Sequence, residues 1–69
     1  MITFKDRLHE LREEEGITKT ELAKRTDLSE SAIGRWESGT RTPTLDCLLA
    51  LANYFNCSID YLVGRTNEP

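Results

Sequence analysis

Arg35, Glu30 and Ser31 lie within one short polar stretch, Ser29–Glu37, together with the small residue Gly34. A guanidinium donates paired hydrogen bonds in a fixed fork, and a carboxylate accepts from amino groups. That is the chemistry of recognition rather than of bond making. Residues suited to catalysis are sparse. Cys47 and Cys57 stand ten apart with no second pair and no nearby histidine, which lacks zinc-site spacing. A nucleophile also needs a base and an orienting partner, and neither cysteine has them in sequence. His9, the single histidine, falls outside the Phe4/Leu8/Leu11 stripe and reads as a surface residue rather than a ligand. No glycine-rich phosphate loop occurs. These absences point away from an enzyme, a metal site or a cofactor, and no small-molecule ligand is evident.

The polar stretch must be positioned by its neighbours, and helix start and stop signals divide the chain into five short helices. Thr3 with Asp6 resembles a capping box, and Phe4, Leu8 and Leu11 follow at helical spacing until Gly16. Glu13-Glu14-Glu15 places acid at the negative end of that helix, where fraying is expected. Thr18 with Glu21 is a full capping box, followed by an inward face of Leu22, Ala23 and Thr26. Ser29 caps the third helix, with Ala32 or Ile33 and Trp36 inward; Trp36 reads as a packing residue rather than a stacking one. Ser38-Gly39 stops it, and Pro43 closes a loop. Thr44 caps a fourth helix with Leu45, Leu48, Leu51, Ala52 and Phe55 inward, and Asn56 ends it. Ser58 caps a fifth, ended by Gly64, and residues 66–69 read as a flexible tail behind a single domain, 1–65. Period-2 alternation is absent, so the class is all-α.

The second and third helices are joined by only two or three residues around Asp27-Leu28. So short a connection forces a steep crossing, as in a helix-turn-helix. The crossing needs a small residue, which Ala23 supplies, and apolar anchors, here Leu22, Leu28 and Ile33. It also needs a residue that tolerates positive φ, which Asp27 does less easily than glycine. The outer side of the third helix is then Glu30, Ser31, Gly34 and Arg35, with little bulk to keep it from a major groove ~12 Å wide.

Size and charge bound the rest. With 69 residues, of which 38% are hydrophobic, the chain builds one core and no deep cavity beside it. No apolar run approaches the ~18 residues a bilayer needs, and the N-terminus shows no signal-peptide stretch. Two unpaired cysteines fit a reducing cytoplasm. A net charge of −3 argues against a generic nucleic-acid coat but leaves local binding open, because the face that carries the basic groups decides. Residues 1–26 hold six basic and six acidic groups, residues 44–69 one and three.

Several pieces in order resemble the phage repressor/Cro-type helix-turn-helix family, also called XRE. They are Thr18-Lys19-Thr20-Glu21-Leu22-Ala23, Leu28-Ser29 through Ile33, Arg35-Trp36-Glu37-Ser38-Gly39, Arg41-Thr42-Pro43 and Asp60-Tyr61-Leu62-Val63-Gly64. The resemblance covers roughly residues 4–65. It implies a compact five-helix, lambda-repressor-like domain that binds double-stranded operator DNA as a two-fold homodimer and represses, or occasionally activates, transcription. Its base-reading positions fall on Glu30, Ser31 and Arg35. Arg35 can donate two hydrogen bonds to guanine O6 and N7, and Glu30 can accept from cytosine N4. Phosphate contacts are implied at Lys19, Ser29, Ser38, Arg41 and Thr42. Arg12 and Glu37 match a pair that orients the recognition helix, with Arg12 also near the phosphate. The chain departs from the family pattern at Glu30, where many relatives are polar or basic, at Gly34, and at Asp27 in place of the usual turn glycine.

The two C-terminal helices carry more apolar and aromatic surface than one core face needs: Leu49, Tyr54, Ile59, Tyr61 and Val63. Either these complete the monomer core around Trp36, or they form a self-complementary dimer patch. Two rivals to the regulator remain from the sequence. One is a protein-interaction module, such as an antitoxin or the adaptor half of a regulator, suggested by the acidic balance and Glu30. The other is a piece of a larger regulator whose sensing domain lies elsewhere.

Overall fold

The computed structural model describes residues 2–69. Among these residues the chain forms five helices and no strand: α1 (Phe4–Glu15), α2 (Lys19–Thr26), α3 (Glu30–Ser38), α4 (Leu45–Phe55) and α5 (Ile59–Leu62).

Four helices begin as the hydroxyl residues dictate. Thr18, Ser29, Thr44 and Ser58 each accept from a backbone N–H three residues on, at 3.1, 3.2, 3.3 and 3.0 Å. Each satisfies one of the helix's orphan donors. Thr3 behaves differently. It occupies the N-cap of α1 but makes no side-chain cap bond; its hydroxyl instead donates to the Asp6 carboxylate at 2.9 Å. The acidic run Glu13-Glu14-Glu15 forms the last residues of the helix. α1 stays helical through Glu15, and Gly16 (φ 68°) seals it by donating to the Arg12 and Glu13 carbonyls.

Each helix contributes one fully buried aliphatic side chain: Leu8, Leu22, Ile33, Leu51 and Leu62. Burial of each is worth ~1.5–3 kcal/mol, so no helix is held by propensity alone. Ala23 and Ala32 are also buried, which lets α2 and α3 approach closely. Trp36 is 3% exposed and meets Phe4 edge-on at 6.4 Å, a packing role as its spacing suggested.

Two placements differ from the sequence expectation, and a third lies outside it. Leu45, expected inward, is 63% exposed. Leu45 and Leu49 share one face of α4, while Leu48, Leu51, Ala52 and Phe55 turn to the other helices. Thr26 is half-buried, and its hydroxyl donates back to the Leu22 carbonyl at 2.7 Å. Arg7 is the surprise, for it is only 3% exposed. Its guanidinium lies 3.7 Å from the Tyr61 ring centroid, and its Nη2 donates to the Thr66 carbonyl and to Asn67 Oδ1. Residues of the presumed tail thus supply acceptors for a buried cation. No described helix is long and apolar enough to cross a membrane.

Candidate nucleic-acid interface

The turn between α2 and α3 is built as its length requires. Asp27 adopts the left-handed conformation (φ 57°, ψ 35°) and caps α2 by donating its N–H to the Ala23 carbonyl. Leu28 donates to the same carbonyl at 3.1 Å. Ser29 then opens α3. Aspartate tolerates this conformation because its short polar side chain adds little steric conflict.

α3 is divided into two sides. Ala32, Ile33 and Trp36 are buried against the rest of the domain. Glu30, Ser31 and Arg35 are exposed, and Gly34 is half-buried between them. A Cβ built on Gly34 would meet nothing within 4 Å. The outward side is therefore uncovered and low in bulk. Among the described residues the Arg35 guanidinium has no hydrogen-bond or ion-pair partner, so its donors are free for an external acceptor.

The other candidates fall into three groups. Lys19, Arg41 and Thr42 are exposed, and their side chains have no partner among the described residues. Lys19 stands at the start of α2, where unpaired N–H groups favour an anion. The hydroxyls of Ser29 and Ser38 have tasks within the fold. Ser29 Oγ caps α3 and lies 3.2 Å from Ser31 Oγ. Ser38 Oγ donates to the Arg35 carbonyl at 3.0 Å and sits 2.9 Å from Thr40 Oγ1. Arg12 is turned inward. Its Nε and Nη2 donate to the two Glu37 oxygens at 2.7 and 3.0 Å, and its Nη1 donates to the Ile17 carbonyl at 2.9 Å.

Glu37 is a buried carboxylate, its side chain only 5% exposed. Burial acts to raise its pKa, but hydrogen bonds from Arg12 and His9 outweigh burial and hold it below its ordinary value. The same Glu37 bond holds the Arg12 guanidinium above its usual value. His9 completes the cluster, with Nδ1 2.9 Å from Glu37 Oε1 and Nε2 3.1 Å from Glu13 Oε1.

Two residues near this face were not singled out from sequence. Thr20 donates its hydroxyl to Glu30 Oε1 at 2.6 Å. Lys5 lies against the loop after α3, its Cδ 3.1 Å from where a Cβ on Gly39 would stand. Ten and 34 residues separate these pairs, and no local pattern signals either contact.

The C-terminal residues are all half-buried: Tyr54, Ile59, Tyr61 and Val63. Both tyrosines have partners within the chain. Tyr54 packs edge-on against Phe55 and its hydroxyl accepts from Arg25 Nη1 at 2.8 Å. Tyr61 carries the Arg7 guanidinium. Leu49, beside them in sequence, is 43% exposed. No cluster of three or more histidine, cysteine or acidic residues able to hold a metal occurs among the described residues.

This architecture recurs in known proteins, and a helix-turn-helix family model matches residues 8–62. The chain belongs to the phage repressor/Cro-type helix-turn-helix family. The P22 c2 repressor, solved in complex with a synthetic operator, superposes with a TM-score of 0.84 at 32% identity, over 91% of this chain and 96% of that one. The restriction-modification controller protein C.AhdI of Aeromonas hydrophila gives a TM-score of 0.79 at 34% identity, over 86% and 89% of the two chains. Two Bacillus subtilis proteins are similar in sequence. The HTH-type transcriptional regulator ImmR is 37% identical over 86% of this chain and 46% of its own length. The uncharacterized HTH-type transcriptional regulator YobD is 35% identical over 91% of this chain and 56% of its own. The chain therefore spans about half the length of these curated relatives.

Proposed function

We propose that residues 1–65 act as a sequence-specific DNA-binding domain of a transcriptional regulator, of the repressor type, working in the cytoplasm by occupying an operator rather than by catalysis. The observation that carries this reading is the outward side of α3: exposed, slender, and ending in an unpartnered Arg35. The similarity to the transcriptional regulator ImmR supports it, as does the P22 c2 repressor's complex with operator DNA.

In this reading α3 enters the major groove, where Arg35 donates to guanine O6 and N7, Glu30 accepts from a base amino group, and Ser31 contacts a base edge. Lys19, Ser29, Arg41 and Thr42 meet phosphates on either side, with Lys5 joining Arg41. Ser38 contributes to this group only if its proton leaves the Arg35 carbonyl. Arg12, engaged by Glu37 and Ile17, acts chiefly by holding α3 at its angle, its contact with phosphate being secondary. Two copies pair through Tyr54, Ile59, Tyr61 and Val63, placing their α3 helices about 34–36 Å apart on one face of the DNA. That arrangement reads an inverted repeat.

Selection of bound sequences from a random duplex pool tests the proposal. An enriched inverted repeat with half-sites one helical turn apart is expected. Recovery of no preferred sequence would contradict it.

A further inference from the structure

We propose that Thr20 is a positioning residue that sets the base preference of Glu30; this rests on the proposed entry of α3 into the major groove. Thr20 is the second residue of α2 and Glu30 the first of α3. The hydroxyl of Thr20 donates to Glu30 Oε1 at 2.6 Å, the length of a charge-assisted O–H···O⁻ bond. It ties the first turns of the two helices together across the turn.

A lone exposed glutamate rotates freely about its side-chain torsions and gains little discrimination from any one base. Thr20 removes that freedom. Its own χ1 is confined to two rotamers in a helix, and in the one observed the hydroxyl reaches Glu30. With Oε1 clamped, Oε2 remains, and it has no hydrogen-bond partner among the described residues. An ionised carboxylate only accepts. On the major-groove edge, cytosine N4 and adenine N6 offer donors, whereas guanine O6 and thymine O4 are acceptors that this oxygen repels. The clamped carboxylate therefore selects an amino-bearing base at one operator position. The single proton of Thr20 is spent on Glu30, so its hydroxyl does not donate to a phosphate at the same time. Lys19, one residue earlier, serves the backbone while Thr20 serves base reading.

Both side chains are exposed, so a purely structural staple would alter stability or weaken all DNA alike. A positioning role alters preference instead. The test uses operator duplexes from the pool selection, each base pair replaced in turn, with wild type, Thr20→Val, Thr20→Ser and Glu30→Ala proteins. Thr20→Val should lower discrimination at the one position that Glu30→Ala also affects by about three- to tenfold, the worth of one lost hydrogen bond. The melting temperature and the salt slope should not change, and Thr20→Ser should restore the preference. Uniform loss across all duplexes, or unchanged discrimination, overturns the role of Thr20. If Glu30→Ala leaves every preference intact, Glu30 reads no base and the inference falls with it, while selective binding by the wild type stands or falls separately on Arg35.

Discussion

Arg12 grips Glu37 with two hydrogen bonds, Nε to Oε2 at 2.7 Å and Nη2 to Oε1 at 3.0 Å, joining the late part of α1 to the end of α3. The side chains are 12% and 5% exposed, so this is not a loose surface pair. Removing the cation would strand a buried carboxylate. Arg12→Ala should therefore destabilise the domain by about 3 kcal/mol, seen as a lower midpoint in urea denaturation. Arg12→Lys should recover only part, because an ammonium cannot reproduce the fork. An unchanged midpoint in Arg12→Ala would show that the pair contributes nothing.

The same pair gives stability an acid limb. Glu37 is held below its ordinary value of 4.5 in the folded chain. A carboxyl depressed by folding contributes stability above its unfolded value and loses that contribution as pH falls through the folded one. Melting temperature should therefore drop as the solution is acidified below about pH 4.5. In Glu37→Gln, which starts lower, the acid-dependent drop should be shallower. Parallel acid limbs in the two proteins would place the titration on other carboxylates.

How far the sequence reveals this molecule follows from the range of each contact. The caps at Thr18, Ser29, Thr44 and Ser58 act within three residues, so their chemistry is visible locally. So is the left-handed turn at Asp27, because the short link leaves few alternatives. The two sides of α3 follow from helical spacing. The burial of Arg7 does not, since its acceptors lie 59 and 60 residues away. Leu45 fits either of two faces of α4 by spacing, and only the packed helices decide. Thr20 and Glu30 belong to different helices, so their bond depends on the crossing angle rather than on any motif. His9 is exposed as expected, yet the carboxylates at both its ring nitrogens come from α1 and α3 together.

Gly34 separates stability from binding. It lies inside α3 with open space around the position of a Cβ. Gly34→Ala should stabilise the free domain by about 0.5–1 kcal/mol through reduced backbone entropy. The added methyl sits on the side proposed to face DNA, so affinity for the selected operator should fall in the same variant. Calorimetry and a binding titration measure the two effects. Higher stability with unchanged affinity would show that DNA does not come close at this point.

Gly64 has the opposite sign. Its φ is +85°, and a Cβ there would strike the Ile2 carbonyl. Gly64→Ala should cost at least about 1–2 kcal/mol from the left-handed backbone alone, with the clash added. Thermal unfolding checks this, and a melting temperature equal to wild type would contradict both the backbone cost and the clash.

Arg35 offers the most direct measurement. The affinity of Arg35→Ala should be compared with that of wild type on the selected operator and on every single-base-pair variant of it, with Lys19→Ala as the control. Base reading by Arg35 predicts a loss of ~1–3 kcal/mol on the operator, with discrimination relaxed at one base pair. Lys19→Ala should weaken all duplexes alike and reduce the salt slope by about 1. If Arg35→Ala instead weakens every duplex equally and keeps all preferences, the outward side of α3 does not read DNA sequence.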